Sequence, residues 1–242
     1  MIIWCPSCQL PSITRRLEAG RESLICVRCK SNSRQRGLVL AARAAHRAIR
    51  QQKRLVRAIG ISDGQQTEKW ASKHFKDRYI NYHFHREPRL DLTKIPKSLE
   101  ASHNLIFCSE VLEHVEPPVS RAFRGLSLLL ESGGFVVLSV PYTPIGSSHV
   151  EHFAELSDAR LDETADGLVW RGFSSDGVEH SYKNLTFHGG LGATLEFRVF
   201  SEESLEAHLN EAGLDVVFKL QNQRLFGVTW QPWSRVWLVK KH

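Results

Sequence analysis

The hydrophobic pattern of the chain alternates between helical and strand-like periodicity after residue 36. Residues 37–54 place apolar side chains on one helix face and basic side chains on the other, which predicts a basic helix. Helices are also predicted at 67–75, at 118–130, where Gly133 and Gly134 would end the helix, and at 201–213, which begins with a serine cap. Apolar or alternating runs predict strands at 55–60, 79–84, 105–108, 135–140, 215–220 and 235–240.

This alternation predicts an α/β fold built on a mostly parallel sheet. The run at 135–140 is apolar throughout, as expected of a parallel strand buried on both faces. Residues 142–199 break the rhythm, because they are rich in Gly, Ser, His and Asp and too long for a plain connection. Long inserts at the carboxyl edge of a parallel sheet often shape a substrate site, so this insert is predicted to line the acceptor pocket.

Four of the five cysteines form two close pairs, Cys5 with Cys8 and Cys26 with Cys29. The spacing is C-x2-C, seventeen residues, then C-x2-C, which suits a closed tetrahedral zinc site of structural type. Paired cysteines in a chain without an export signal are more often metal ligands than disulfides. The predicted organisation is a zinc ribbon at 1–36, a basic linker helix at 37–53 and the α/β domain at 54–242.

The charge of the chain is unevenly distributed. The formal net charge is +6, yet residues 1–57 carry 13 Lys/Arg against two acidic residues, and the remainder is net acidic. A basic arm of this kind suits nucleic acid, phosphorylated small molecules or anionic lipid heads, and the alternative is a well-solvated basic helix. The N-terminal residues lack the pattern of a signal peptide and no apolar run could span a bilayer, so we expect a cytoplasmic protein.

Two motifs identify a resemblance. Glycines surround the predicted strand-to-helix turn at 60–64, where a ligand can approach the backbone and the helix N-terminus. The segment SEVLEHV follows at 109–115, and LLLESGGFVVLSVP at 128–141. With these motifs, residues 54–240 resemble class I S-adenosylmethionine-dependent methyltransferases of the branch that shares "SEVLEHV" and "GGxxxxxVP". The stretch CPSC…CVRCKSNSRQR is similar to the zinc ribbon that precedes some bacterial methyltransferases.

The resemblance implies a Rossmann-like, seven-stranded, mostly parallel sheet with an antiparallel last strand, and adenosylmethionine across the carboxyl ends of the first strands. It implies cofactor contacts at the glycine-rich turn, near the adenine and after the fourth strand, namely Gly60, Ser62, Asp63, Gly64, Asp91, Leu92, Ser109 and Glu110. The chain departs from the family pattern at Ala58, where an acid is usual, and at Ser62, which replaces the middle glycine. His83 or His85 is the candidate for the ribose hydroxyls.

A second metal site is a further hypothesis. Glu110, Glu113 and His114 form an E-x-x-E-H pattern that resembles that of metal-dependent O-methyltransferases acting on ubiquinone precursors and on the terminal ribose of small RNAs. His149 or His152 would complete a site for magnesium or manganese, which lowers the pKa of a bound hydroxyl. The alternative is that Glu110 contacts the cofactor surroundings, Glu113 is solvated and His114 packs against its helix.

The function predicted from the sequence is methyl transfer to a hydroxyl group of a sugar, a glycan or another small polar metabolite. His152 is the first candidate for the base that takes the hydroxyl proton, followed by His149 and His114. One alternative is an RNA methyltransferase that uses the basic arm, although Trp4 is the only aromatic residue there on which a base could stack. The other is a non-catalytic protein that retains the fold, in keeping with the departures at Ala58 and Ser62.

Overall fold

The computed structural model describes residues 1–16, 24–141, 143, 149–153, 155–188, 193–230 and 235–242. The N-terminal unit is a three-stranded antiparallel sheet in the order β1 (Ile2–Cys5), β2 (Leu10–Arg16) and β3 (Leu24–Cys26). We call these strands and the turns that carry Cys8 and Cys29 the ribbon. Its core consists of Ile3 and the buried pair Cys5 and Cys26, so the cysteine site replaces much of the apolar interior that so small a unit cannot provide.

Helix α1 (Ser33–Gln51) begins four residues before the predicted start. The reason is a capping box: the Asn32 side chain accepts from Gln35 N at 2.8 Å, and Gln35 Oε1 accepts from Asn32 N at 3.0 Å. The apolar face, which includes Leu38, Ala42 and Ile49, is buried against the central sheet. The helix therefore joins the ribbon to the sheet as a packed element, and the proposed division of the chain at 36 and 53 stays a prediction.

The remaining elements form an α/β domain with a β-rich insert. In chain order they are β4 (Ala58–Ile61), α2 (Gln65–Phe75), β5 (Tyr79–Tyr82), β6 (His103–Ser109), α3 (Ser120–Leu129), β7 (Leu130–Ser139), β8 (Val150–Glu151), β9 (Ser157–Thr164), β10 (Gly167–Phe173), β11 (Glu179–Tyr182), β12 (Phe187–His188), β13 (Thr194–Leu195), β14 (Arg198–Val199), α4 (Glu202–Glu211), β15 (Leu214–Lys219) and β16 (Trp237–Lys241). The central sheet has the order β15-β16-β7-β6-β4-β5. Strands β5, β4, β6 and β7 are parallel, whereas β16, the last strand, is antiparallel to both neighbours.

Within the described residues this sheet has six strands, one fewer than the resemblance implies. The chain leaves β5 at Tyr82 and reaches Asp91 after only eight intervening residues. A parallel neighbour needs a crossover of a dozen or more residues, so this segment is too short for another helix and strand. Instead, His83 and Arg89 form an isolated bridge, and β5 remains the edge of the sheet.

The prediction that Gly133 and Gly134 end a helix is wrong. Helix α3 stops at Leu129, and both glycines lie inside β7. The pairing of β7 with β6 shifts register between Leu130 and Phe135, so the glycines occupy a bulge. Gly133 has a φ of +72°, which favours glycine, and a Cβ at Gly134 would lie 3.0 Å from Glu131 O.

Two helical layers cover the sheet. Helices α1 and α2 pack on one face, around Val39, Trp70 and Phe107. Helices α3 and α4 pack on the other face, together with Ile106 and Leu138. In the part of the chain that the structure describes, no helix combines the length and apolar character needed to cross a membrane.

The insert is built from small antiparallel sheets, of which β9-β10-β11 is the largest. Its own core contains Phe153, Trp170 and Phe197. Arg198 fastens it to the chain after β6, because its Nη1 donates to Leu112 O at 2.7 Å and Val115 O at 2.5 Å while its Nε donates to Glu151 Oε1 at 2.6 Å. The insert therefore lies beside the segment that follows β6.

Gly125 of α3 packs directly against the backbone of Leu92, and this contact leads to the first prediction. A Cβ there would lie 1.9 Å from Leu92 O. Gly125→Ala should lower the free energy of unfolding by about 1–3 kcal/mol through overpacking, although alanine normally favours a helix over glycine. Denaturant unfolding measures the change. Arg124→Ala, at an exposed position of the same helix, is the control and should change stability little. A Gly125→Ala protein as stable as the wild type would contradict the packing argument.

Candidate functional site

The carboxyl ends of the four parallel strands form one edge of the sheet, which we call the carboxyl edge. Immediately beyond β4 and β6, Ser62 and Glu110 adopt left-handed backbone conformations, with φ of +54° and +58°. Such conformations strain residues other than glycine and cluster at functional sites, where the surrounding structure holds them. Here Ser62 N donates to Tyr82 O at 2.7 Å and Glu110 N donates to Ser139 O at 2.8 Å. Two adjacent strands thus end in held, strained turns.

The turn after β4 is supported from beneath by a buried carboxyl group. Asp63 Oδ2 accepts from the Tyr79 hydroxyl at 2.6 Å, and Asp63 N donates to Asn81 Oδ1 at 2.9 Å. Burial raises the pKa of Asp63 to about 8, so the carboxyl group is largely protonated at neutral pH. A Cβ at Gly60 would lie 2.3 Å from Tyr79 Oη. Gly60 and Asp63, both predicted cofactor residues, are therefore also needed to build the turn.

Gly64 differs from Gly60, because no neighbouring atom of the described residues requires a glycine there. Its φ of −66° and ψ of 154° suit any residue. A Cβ at Gly64 would have Gln35 Nε2 as its nearest neighbour, at 3.9 Å. The position is exposed and precedes the first residue of α2, whose backbone N–H groups face the carboxyl edge. Open space at a helix N-terminus suits the close approach of a ligand.

The turn after β6 carries a polar network. Ser109 Oγ lies 2.8 Å from Ser139 Oγ, and the Ser139 hydroxyl also lies 3.1 Å from Glu110 Oε1. Arg34, from the first turn of α1, donates to Ser109 Oγ at 2.6 Å and lies 4.0 Å from Glu110 Oε1. The predicted residues Ser109 and Glu110 are thus together at the carboxyl edge, and Arg34 joins them although the sequence reasoning did not single it out.

The residues predicted near the adenine and ribose lie in the connection between β5 and β6. Asp91 Oδ1 accepts from Thr93 N at 2.8 Å and from Thr93 Oγ1 at 2.7 Å, which forms a local turn. The Leu92 side chain is buried in the core on the α3 side. His83 Nε2 lies 3.0 Å from Arg86 Nη2, and His85 is exposed. The roles of these residues toward a cofactor stay predictions.

His114 lies in the segment after β6, and its Nε2 is 3.8 Å from Glu113 Oε1, beyond hydrogen-bonding distance. Its Nδ1 lies 2.8 Å from Leu195 O, and since a carbonyl only accepts, Nδ1 carries the proton and Nε2 keeps its lone pair. Burial lowers the pKa of His114 from its ordinary value of 6.5, so the ring is neutral at pH 7. Glu113 beside it is fully buried rather than solvated, which corrects one of the alternatives drawn from the sequence.

Glu196, a buried residue of the insert, joins two more histidines. Its Oε1 lies 3.1 Å from His152 Nε2 and its Oε2 lies 2.8 Å from His188 Nε2. His188 is in edge contact with the His114 ring, with centroids 4.8 Å apart. We call Glu113, His114, His152, His188 and Glu196 the histidine cluster. The stretch 186–192, which contains His188, is predicted from the sequence to shape the acceptor pocket, but nothing in the spacing predicts that His188 and Glu196, more than 70 residues beyond Glu113, meet His114.

His149 lies apart from this arrangement. Its Nδ1 is 2.8 Å from Ser204 Oγ at the start of α4, and its Nε2 is 3.2 Å from Glu151 Oε1. Both ring nitrogens are therefore engaged, the first in a contact between the insert and α4 and the second in a contact within the insert. The residues 189–192, which were predicted to help shape the acceptor pocket, lie outside the described residues.

Part of the histidine cluster has the composition of a metal site. Ligand atoms of Glu113, His114 and His188 all lie within 4.8 Å of one another. Two imidazoles and a carboxylate suit manganese, iron or zinc better than magnesium, which prefers oxygen ligands throughout. The Leu195 carbonyl that orients His114 Nδ1 is the kind of support that metal-binding histidines have. Of the other predicted ligands, Glu110 accepts a hydrogen bond from Ser139, and His152 contacts Glu196 rather than these three residues.

The four ribbon cysteines converge on one point. Their sulfur atoms lie within 4.8 Å of one another, and Cys5 Sγ is 3.6 Å from Cys29 Sγ. Zinc–sulfur bonds of about 2.3 Å in a tetrahedron place the sulfurs about 3.8 Å apart, which fits this spacing. Hydroxyl groups support the thiolates: Ser12 Oγ lies 3.1 Å from Cys26 Sγ, and Ser31 Oγ lies 3.1 Å from Cys29 Sγ.

Comparison with solved structures identifies methyltransferases as neighbours of this fold. The CcbJ methyltransferase from Streptomyces caelestis is 13% identical, with 86% of this chain and 95% of that chain covered and a TM-score of 0.50. The CalS10 amino pentose methyltransferase from Micromonospora echinaspora, with bound adenosylmethionine, is 14% identical over 84% of this chain and 90% of that chain, with a TM-score of 0.49. The chain shares its fold with the first of these enzymes. No protein-family model matches the chain, and no curated protein matches it in sequence.

The cysteine site generates the second prediction. We expect one zinc ion per chain, held by Cys5, Cys8, Cys26 and Cys29, and Cys26→Ser should remove it, because three thiolates no longer close the shell. Elemental analysis of protein purified without chelator measures the metal content. Cys108→Ser is the matched control, since Cys108 is buried in the central sheet away from the ribbon, and it should leave the zinc content unchanged. Zinc-free wild-type protein would refute the assignment.

Proposed function

We propose that the chain is an S-adenosylmethionine-dependent methyltransferase that methylates a hydroxyl group of a sugar, a glycan or another small polar metabolite. The observation that carries the proposal is the pair of held left-handed turns at Ser62 and Glu110, at the same edge of the sheet as the open position at Gly64. Ligands of open α/β sheets bind outside the carboxyl ends of the strands, and this edge belongs to a fold shared with a methyltransferase. A cytoplasmic location stays a prediction.

The residues at the carboxyl edge fit the two ends of the cofactor. The turn at 60–64 leaves room for the methionine part beside Gly64, and Ser109 and Glu110 offer polar atoms to it. Asp91 lies where the adenine end is expected, at the connection after β5. When bound there, adenosylmethionine would supply an electrophilic methyl group on a positively charged sulfur, which the Glu110 carboxylate favours electrostatically.

The histidine cluster supports the second half of the proposal, removal of the hydroxyl proton. Transfer forms a bond between the acceptor oxygen and the methyl carbon, breaks the sulfur–carbon bond and leaves the hydroxyl proton for a base. Of the three predicted bases, His114 has the geometry that suits this step, since its Nε2 keeps a lone pair while Leu195 O holds Nδ1. His152 and His149 lie within hydrogen-bonding distance of Glu196 and Glu151 through Nε2, whereas His114 Nε2 is 3.8 Å from the nearest Glu113 oxygen.

A metal at Glu113, His114 and His188 is the alternative for the same step. A divalent cation held by these residues would lower the pKa of an acceptor hydroxyl, so that no free imidazole base is needed. The donor set favours manganese or zinc over the magnesium that the resemblance also suggested. His114 is a base in the first mechanism and a metal ligand in the second. Dependence of the activity on a divalent metal therefore distinguishes them.

The case for RNA as acceptor weakens in the structure. Several charges of the basic arm are used inside the protein: Arg36 is fully buried, Arg43 donates to Pro6 O, and Arg54 binds Glu131. Binding of a nucleic acid needs surface basic groups that neutralise its phosphates and displace their counterions, so these three arginines contribute little to it. A small neutral acceptor remains the better fit, and salt-dependent RNA affinity would contradict it.

The cofactor proposal predicts the effect of filling the open position at residue 64. Gly64→Val should lower the affinity for S-adenosylhomocysteine by roughly tenfold or more, because its side chain occupies the expected ligand space. Calorimetry measures the affinity. The thermal midpoint should stay near that of the wild type, since among the described residues the atom nearest to the new Cβ outside its chain neighbours is Gln35 Nε2, at 3.9 Å. Gly60→Val, in contrast, should destabilise the fold itself.

Lys69→Val is the matched control, at an exposed position further along α2, and should leave both quantities unchanged. Unaltered affinity in Gly64→Val would place the cofactor elsewhere. Wild-type protein that binds neither adenosylmethionine nor its product at millimolar concentration would favour the non-catalytic alternative.

The base proposal predicts a specific loss and pH dependence. His114→Ala should lower turnover by roughly a hundredfold or more while product affinity is unchanged. Because burial lowers the pKa of His114, its basic form is present above that lowered value, and activity should be lost only as pH falls below 6.5. His149→Ala, the control, should retain activity. Two results together would establish the metal mechanism instead. In a Cys26→Ser background, a chelator would abolish activity and manganese would restore it, and His188→Ala would also lose activity.

A further inference from the structure

Ser31 belongs both to the cysteine site and to the start of α1. Its hydroxyl lies 3.1 Å from Cys29 Sγ and 3.7 Å from Cys5 Sγ, and its carbonyl accepts from Cys26 N at 2.9 Å. The next residue, Asn32, caps α1 through its side chain. A change in the cysteine site therefore reaches the first turn of the helix within one residue.

Arg36 reinforces this link with a fully buried guanidinium group. It donates to Leu24 O of the ribbon at 2.9 Å and to Ser31 O. It also donates to Phe226 O at 3.1 Å and Gly227 O at 2.6 Å, in the connection between β15 and β16. One side chain thus binds the ribbon, the start of α1 and the edge of the central sheet. Its acceptor in the ribbon, Leu24 O, is held in place only while the ribbon is folded.

The opposite side of the same helical turn faces the carboxyl edge. Arg34 Nη1 donates to Ser109 Oγ at 2.6 Å, and Gln35 Nε2 donates to Gln66 Oε1 at 3.5 Å. Gln35 Nε2 is also the neighbour nearest to the open position at Gly64. The first turn of α1 therefore borders the ends of β4 and β6, and we call the region between these strand ends the groove.

We propose that the ribbon is a functional part of the cofactor site, so that metal bound by the four cysteines raises the affinity for adenosylmethionine and its product. The inference rests on the proposed function, which places this cofactor at the carboxyl edge. The carboxylate of the methionine part is the anion that would meet the Arg34 guanidinium there.

The physical route is coupled folding. Small metal-bound units lose their fold when the metal leaves, and metal binding is then part of the folding free energy. Without the ribbon, Arg36 loses its Leu24 O acceptor and Asn32 loses its fixed position, so the first turn of α1 frays. Arg34 is then no longer held beside Ser109, at the border of the groove. The ribbon is the two-state element that this coupling requires.

Calorimetry with S-adenosylhomocysteine tests the proposal. The zinc-loaded wild type, the chelator-treated wild type and the same sample reloaded with zinc are compared, with far-UV circular dichroism confirming that the sheet stays folded. Metal removal should weaken binding by roughly tenfold or more, and zinc should restore it. Arg34→Ala should bind weakly in both states, and metal removal should weaken it by less than about twofold further, because both changes remove the same contact.

Arg47→Ala is the matched control, an exposed arginine of the same helix, and should retain both the affinity and the metal sensitivity of the wild type. Metal-free wild type that binds as tightly as the loaded protein would overturn the proposal. Loaded wild type that does not bind at all would refute the proposed function instead. Chelation also reaches the histidine cluster, so His188→Ala is measured in parallel: metal sensitivity that persists in this variant supports the ribbon, and its disappearance contradicts the proposal.

Discussion

A buried guanidinium group, that of Arg36, is the interaction on which the arrangement of the units depends. Removing such a charge from water costs several kcal/mol unless hydrogen bonds replace its hydration. Here carbonyl groups of the ribbon, of the α1 cap and of the connection before β16 supply them. Because Gly227 is 191 residues from Arg36 in sequence, these hydrogen bonds form together only when the N-terminal segments meet the connection before β16. Gly227, with a φ of +65°, allows the close approach, since its Cβ position lies 3.0 Å from Ile3 Cδ1.

The strain at the carboxyl edge is offset by contacts within the sheet. Left-handed conformations at Ser62 and Glu110 each cost free energy, which their hydrogen bonds to neighbouring strands and the Asp63–Tyr79 pair offset. The buried Asp63 is neutral at pH 7, so it supports the turn without adding a charge beneath the groove. The strained turns, the open Gly64 and Arg34 therefore form one structural unit rather than separate features.

The sequence predicted those parts of the molecule whose causes are local. Cysteine spacing predicted the convergence of Cys5, Cys8, Cys26 and Cys29, and hydrophobic periodicity predicted α4 and β5 to within a few residues. It could not predict that Gly133 sits in a bulge, because a glycine pair after a helix is equally typical of a cap. Nor could it predict the meeting of His114 with His188 and Glu196, which depends on how the insert folds back through Arg198. Arg36 counted only as one more basic residue, since burial is a property of the assembled structure.

Charge at the carboxyl edge constrains the acceptor further. Five acidic residues lie in or beside the segments at this edge, namely Asp91, Glu110, Glu113, Glu116 and Glu196. Burial and the nearby Asp91 raise the pKa of Glu116, which indicates that carboxylates already crowd this region. A positively charged sulfonium is stabilised by such surroundings, whereas a phosphorylated acceptor or an RNA backbone would be repelled. Of the basic arm, Arg36 and Arg54 make internal contacts, and Arg34, which does reach the edge, lies beside the Glu110 carboxylate. The electrostatics of the edge thus favour a neutral, hydroxyl-bearing acceptor. This agrees with His114 as the base, because burial lowers its pKa and keeps the imidazole uncharged at pH 7.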